Sequence, residues 1–258
     1  MRHVTLVLAL LAAGNAASAS DLVIGNRDTA ALRRAIATAA ADPDQAYRIV
    51  LAAGGIYTLS DTLPGRLGLP PLAGKITIDG RGAEIRRYSD RPMTLLQVDA
   101  GATVSLANLT LSEGSLGAIR NLGSLTLDHV KVTDNSGEGA RGIIVNHGTL
   151  VARDTEISHN EVHGSGRDAG TLVNFGTLTL SKSLIARNSL SRRYPSLATA
   201  AVLNHGQLTL AGSNFTDNSV IDEFGGLVST AVLNLMGGRV EGDAATQVRD
   251  ESNDLAVN

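Results

Sequence analysis

Short stretches in which hydrophobic and polar residues alternate recur from residue 75 onward. Four segments share one template, in which two asparagines stand 14 residues apart and a glycine follows the first by two positions. The segments cover residues 121–135, 146–160, 174–188 and 204–218. Alternation with a period of two is typical of β-strands that bury one face. The pattern therefore predicts a series of similar strands.

Aligning the four segments places their hydrophobic residues in three columns. The columns contain Leu125, Leu150, Leu178 and Leu208; Leu127, Ala152, Leu180 and Leu210; and Val132, Ile157, Ile185 and Phe215. A fifth copy begins at residue 231, a degenerate copy covers 98–111, and 75–80 predicts a still earlier turn. The copies keep one strand pattern although the lengths between them vary. We interpret each copy as one coil of a solenoid, stacked about 4.8 Å from its predecessor.

The recurrent asparagines predict ladders inside the stack. In stacked coils, each amide side chain can hydrogen bond to its equivalents above and below. A single asparagine would be read as a surface turn residue, but nine in register favour a ladder. The nine are Asn121, Asn135, Asn146, Asn160, Asn174, Asn188, Asn204, Asn218 and Asn234. The recurrent glycines are expected where the backbone turns with positive φ.

The segment before the repeats predicts a capping helix over residues 29–41. Asp28 or Thr29 is suited to cap it. The helix places Leu32, Ile36, Ala39 and Ala40 on one face, with Arg33 and Arg34 pointing away. Strands are predicted over 48–52 and 56–59. We expect the helix to cover the open end of the stack, and an ordinary βα unit is the alternative.

The first 19 residues have the features of a secretory signal peptide. Arg2 supplies the positive start, residues 4–13 form the apolar run, and 17–19 form the small-residue cleavage site. The alternative is a membrane anchor, but the apolar run is about half of the length that a bilayer requires. We therefore expect an exported protein, extracellular, on the cell surface or periplasmic, with no transmembrane segment after cleavage.

Several motifs resemble known β-helical proteins. The helix at 29–41, Ile49-Val-Leu-Ala-Ala-Gly with Tyr57, and Ile76-Thr-Ile-Asp-Gly-Arg-Gly resemble the N-terminal cap and first coils of the pectin-lyase-like superfamily. Gly117-Ala-Ile and Phe215-Thr-Asp-Asn resemble the repeats of polymorphic outer-membrane proteins and similar bacterial surface adhesins. The resemblance covers residues 28–242. It implies an all-β, right-handed parallel β-helix of about seven coils over 20–242. The polar residues of 243–258 predict a tail.

Composition narrows the possible chemistry. The 258 residues include no cysteine and carry a formal net charge of −3, so we expect no disulfide, no thiolate site and no nucleic-acid partner. His147 and His205 are equivalent turn residues two coils apart, roughly 10 Å, which is too far to share a zinc ion. We therefore predict no metal and no cofactor.

A polar column offers candidate catalytic residues. The candidates are Glu113, Asp134, His159 and Arg187, with Asp217 in the next coil. If the coils stack in register, Glu113 and Asp134 approach the roughly 5 Å separation of the carboxylates in retaining glycosidases. The favoured alternative is a charge ladder that sets the register of the coils. Neighbouring columns offer the same kind of pairs: Lys131 with Glu156, Asp154 with Lys182, and Asp128 with Arg153.

Loops of variable length are predicted to form one lip along successive coils. They cover residues 136–142, 161–170, 189–199 and 219–230. Their candidate binding residues are Arg141, Arg167, Arg192, Arg193 and Tyr194. Arginines bind carboxylate or sulfate bidentately, and a tyrosine can stack on a sugar ring. Tolerated insertions with solvated charges are the alternative.

The sequence leaves more than one function open. The favoured hypothesis is a non-catalytic, exported scaffold of the surface or adhesin type that presents the lip to a partner, a polysaccharide among the options. The alternative is a lyase or hydrolase of an acidic polysaccharide, and few aromatic residues, 3% of the chain, argue against it. A third interpretation is a module of a larger adhesin. The apolar last coil, residues 231–241, also suggests end-to-end association.

Overall fold

The chain forms an all-β parallel solenoid of about seven turns with one short helix, which confirms the predicted fold class. A computed structural model describes residues 20–138, 142–163, 169–192, 199–222, 232–234, 239–242 and 248–250. The predicted signal peptide lies outside the described residues.

The longest sheet contains 13 strands that stack in parallel from coil to coil. They are β1 (Ser20–Ile24), β2 (Ala46–Leu51), β3 (Ile56–Leu59), β4 (Lys75–Arg87), β6 (Thr103–Ser112), β8 (Ser124–Thr133), β11 (Thr149–Arg153), β12 (Glu156–Ser158), β15 (Thr177–Ser181), β16 (Leu184–Ala186), β19 (Gln207–Ala211), β20 (Asn214–Thr216) and β23 (Arg239–Gly242).

Two shorter sheets complete the coils. The seven-stranded sheet comprises β5 (Leu96–Val98), β7 (Ile119–Asn121), β10 (Ile144–Asn146), β14 (Leu172–Asn174), β18 (Val202–Asn204), β22 (Val232–Asn234) and β24 (Val248–Asp250). The four-stranded sheet comprises β9 (Ser136–Glu138), β13 (Glu161–His163), β17 (Ser189–Arg192) and β21 (Ser219–Asp222). The four-stranded sheet lies where the sequence predicted loops. Strand β24 lies within the segment that was expected to be a polar tail.

The register confirms the three predicted hydrophobic columns. Leu150 pairs with Leu125 in one direction and with Leu178 in the other, and Ile157 pairs with Val132 and Ile185. These side chains are buried, so they form a continuous core along the solenoid axis. Burial of such aliphatic side chains is the main favourable contribution to folding.

The repeat glycines serve close packing and do not supply positive φ, which corrects the prediction. A Cβ at Gly148, Gly176 or Gly206 would lie 2.0–2.1 Å from the carbonyl oxygen of the glycine one coil before. The left-handed bends fall instead on polar residues such as His129 and Asp154.

The helix α1 (Thr29–Ala41) packs against β1, β2 and β3 at the N-terminal end of the solenoid core. Asp28 caps it, because its carboxylate accepts a hydrogen bond from the Ala31 N–H at 2.8 Å. Its buried face contains Leu32, Ala35, Ile36 and Ala39. The prediction was wrong for Arg33, whose guanidinium contacts the Asp61 carboxylate at 2.7 Å and the Gly68 carbonyl oxygen at 2.8 Å. This contact fastens the helix to the turn that contains the 3₁₀ helix Pro64–Arg66.

Candidate functional site

Two buried asparagine ladders run along the solenoid, as predicted. In the first, the side-chain amide of each asparagine donates to the side-chain oxygen of the next asparagine at 2.7–2.8 Å. The order is Asn121, Asn146, Asn174, Asn204 and Asn234. In the second, the corresponding distances are 2.9–3.0 Å, in the order Asn135, Asn160, Asn188 and Asn218. These asparagines are at most 4% exposed, so their role is structural.

A short hydroxyl ladder accompanies the asparagines and was not predicted. The Thr155 N–H donates to the Ser183 hydroxyl at 3.3 Å, and the Ser183 N–H donates to the Ser213 hydroxyl at 3.1 Å. All three residues are buried. Their alignment one position after the left-handed bend is the signal that could have revealed them.

The candidate catalytic column lies on exposed bends. Its five residues all adopt left-handed backbone conformations, with φ between 53° and 62°. They are Glu113, Asp134, His159, Arg187 and Asp217. Asp and His are enriched in this conformation relative to most residues. The bend thus accounts for Asp134, His159 and Asp217 without any requirement from catalysis, but it does not account for Glu113 or Arg187.

Glu113 and Asp134 occupy neighbouring coils but face different surroundings. The Glu113 N–H donates to the Asp134 carbonyl oxygen at 3.2 Å. Glu113 lines an open hollow of about 1100 Å³ together with Arg86 and Arg87, and Asp134 does not line it. The Asp134 carboxylate accepts a hydrogen bond from the Thr133 hydroxyl at 2.8 Å. The catalytic assignment stays a prediction.

The other two catalytic candidates also stack without contacting a shared cleft. The His159 N–H donates to the Ala186 carbonyl oxygen at 3.2 Å, which places His159 beside Arg187. Within the described part of the chain, neither side chain makes a hydrogen bond or ion pair, and neither lines the hollow that Glu113 lines.

One of the three predicted charge pairs forms. The Lys131 ammonium lies 3.3 Å from the Glu156 carboxylate. Burial raises the pKa of Glu156, but hydrogen bonds from Ser158 and Lys131 and the charges of Lys131 and His159 outweigh it, so the pKa is lowered overall. The pair is about half-exposed, so water screens it and it adds little stability.

The other two predicted pairs, Asp128 with Arg153 and Asp154 with Lys182, are neighbours on successive coils. Within the described part of the chain no ion pair joins them, and their acidic members group around a histidine instead. His129 Nδ1 lies 2.8 Å from an Asp128 carboxylate oxygen. One ligand atom from each of Asp128, His129 and Asp154 falls within 4.8 Å of the others, so these residues could share a cation. His129 and Asp154 are exposed on left-handed bends, which already account for their residue types.

Four of the five candidate binding residues of the predicted lip are not among the described residues. Arg141, Arg167, Arg193 and Tyr194 lie outside the described residues. The backbone of Arg192 belongs to β17 and is in register with Asp222 of β21. The prediction of loops was wrong for the first part of each segment, because buried residues such as Val162, Leu190 and Val220 build the four-stranded sheet.

A groove over the seven-stranded sheet was not predicted. It has a volume of about 370 Å³, and the turn at Gly65 and Leu67 lines it together with residues from four successive coils. The coil residues include Gln97, Arg120, Val145, His147 and Phe175. In register, Arg120 lies between Gln97 and Val145 on neighbouring strands. The groove combines one cationic side chain with amide, imidazole and apolar groups.

A stack of three rings borders this groove. The ring of Phe175 lies between those of His147 and His205, with centroids 4.8 Å apart in each pair and interplanar angles of 9° and 13°. Burial lowers the pKa of His147, and the positive charge of Arg120 lowers it further. The sequence analysis predicted these histidines to be turn residues and did not predict the stack. The pattern that could have revealed the stack is one ring in each coil, between the repeat asparagine and the repeat glycine.

Comparisons with protein-family models, curated proteins and solved structures find no match. The resemblance to β-helical families therefore rests on the sequence motifs and on the solenoid itself. Among the described residues, no helix is long and apolar enough to cross a membrane.

Proposed function

We propose that the chain is an exported, non-catalytic β-solenoid that binds a partner along its lateral surface, and that this partner is a glycan. The groove beside the ring stack carries this proposal, because it is concave and offers a guanidinium, an amide and aromatic edges on a rigid scaffold. Ligand sites commonly combine apolar walls with a few well-placed polar groups. The relation to surface adhesins with similar repeats belongs to this proposal.

The arrangement of the candidate catalytic residues supports a binding role over a catalytic one. A retaining hydrolase needs two carboxylates about 5 Å apart on one cleft. Glu113 lines the open hollow without Asp134, and His159 and Arg187 line neither hollow nor groove. Export is supported by the features of residues 1–19, which leave the extracellular space, the cell surface and the periplasm as destinations.

Binding to immobilised polysaccharides tests the proposal. The purified full chain is passed over pectin, alginate, chondroitin and a neutral glucan, and retention is measured as the concentration of protein rises. The proposal predicts saturable retention on at least one polysaccharide, with the polysaccharide recovered at its original length. Retention on none of them, or shortening of the polymer during binding, contradicts it.

A further inference from the structure

We infer that the groove over the seven-stranded sheet selects an anionic saccharide and that Arg120 anchors its acidic group. This inference deepens the proposed function and rests on it. The groove is the concave surface where Arg120, Gln97, His147 and the edge of Phe175 come together.

The charge of the groove favours an anionic ligand. Among the described residues that line the groove, Arg120 is the one permanent charge and none is acidic. Arg120 is exposed, and it makes no side-chain hydrogen bond or ion pair within the described part of the chain. By contrast, Arg33 and Arg48 each hold a carboxylate within 3.2 Å. A guanidinium without a counter-charge is suited to bidentate binding of a carboxylate or sulfate.

The lining of the groove suits a ring that carries both hydroxyls and C–H faces. Gln97 donates its amide to Asp99 at 2.7 Å, and its carbonyl oxygen remains an acceptor for a hydroxyl. Leu67, Val145 and Phe175, which is 41% exposed, supply apolar surface. This combination favours a sugar over a bare inorganic anion.

The length of the groove fits an oligosaccharide. Its lining residues come from four successive coils, beginning with Gln97 and ending with Phe175. Three coil spacings amount to roughly 14 Å. An oligosaccharide of a few units spans such a distance, and a single small anion does not.

His147 adds a dependence on pH. Protonation of its imidazole would place a second positive charge beside Arg120 and strengthen anion binding. The charged and titratable groups that face it are Arg120 on the preceding strand and His205 beyond the Phe175 ring. We therefore expect tighter binding as the pH falls below the usual imidazole range, and loss of this dependence in His147→Gln.

Calorimetric titration of the full chain tests the inference. The ligands are trigalacturonate, a sulfated oligosaccharide, neutral maltotriose and inorganic sulfate. The variants are Arg120→Gln and Val145→Glu, with Arg153→Gln and Val151→Glu as matched controls in β11, outside the lining of the groove. Val145 is the register neighbour of Arg120, so a glutamate there repels an anion and offers Arg120 a partner. Thermal melting of each variant verifies that it folds.

The inference predicts that one of the acidic oligosaccharides binds better than maltotriose. Loss of hydrogen bonds to a charged group predicts at least ~10-fold weaker binding in Arg120→Gln and Val145→Glu, with the controls unchanged. Equal binding in all variants, or equal binding of maltotriose, overturns the inference and leaves the proposed function standing. Arg120-dependent binding of sulfate alone overturns the choice of a saccharide. No binding in any arm overturns the inference, and polysaccharide retention then decides the proposed function separately.

Discussion

Replacing Asn160 by alanine removes the centre of the second asparagine ladder. The side-chain oxygen of Asn160 (Oδ1) accepts hydrogen bonds from the Asn135 backbone N–H and from the Asn135 side-chain amide, both at 3.0 Å. Its amide donates to the Val132 carbonyl oxygen at 3.0 Å and to the Asn188 side chain at 2.9 Å. At about 1 kcal/mol for each hydrogen bond, the expected loss in the free energy of unfolding is about 4 kcal/mol. The residue is 1% exposed, so water cannot replace these partners.

Urea unfolding followed by circular dichroism measures this loss. The control is Asn214→Ala, which removes an exposed asparagine with no side-chain hydrogen bond in the described part of the chain. We expect the control to change the free energy of unfolding by less than about 0.5 kcal/mol. A loss in Asn160→Ala that is no larger than that of the control would refute the reasoning. The ladder would then be a by-product of stacking that adds no stability.

Further predictions concern the packing of the coils, the dependence of stability on pH and a buried hydroxyl in the first coil. Gly176→Ala should prevent stable stacking, because its Cβ would fall 2.1 Å from a backbone oxygen one coil before, whereas Gly25→Ala meets no atom within 4 Å and should melt like the wild type. Because folding lowers the pKa of Glu156, its ionised carboxylate stabilises the folded chain above pH 4.5. This stabilisation is lost as the pH falls through the pKa of Glu156 in the folded chain. Lys131→Met should therefore reduce that acid-dependent loss, by about 0.5 kcal/mol in urea titrations at several pH values. Tyr57→Phe should cost about 1–2 kcal/mol in the same assay, because the buried hydroxyl accepts from the Ala52 N–H and donates to a backbone carbonyl.

The fold was predictable because the solenoid repeats its chemistry in every coil. The column that contains Leu150 and the ladder that contains Asn160 each place one residue type at one position of the coil, and parallel stacking brings those positions into contact. The four-stranded sheet was missed because its strands are only three or four residues long and continue into segments of variable length. Short strands leave little alternation to detect.

The groove was not predictable from local pattern. It depends on the turn at Leu67 folding beside Arg120, two segments that are far apart in the sequence. The purpose of the repeat glycines was misjudged for a similar reason. At Gly148, the constraint is the approach of another coil, which the sequence of one coil does not express.

The central claim is that the chain binds its partner without chemical change, and a turnover assay tests it most directly. The full chain is incubated with pectin, alginate, chondroitin and neutral glucans, and unsaturated uronate and new reducing ends are measured together. A Glu113→Gln/Asp134→Asn variant is run in parallel, because both positions have positive φ and these residues keep the size of the originals. The account predicts no product from either protein on a polysaccharide that retains the chain. Product from the wild type that disappears in the variant would contradict the account and make the polar column a catalytic site.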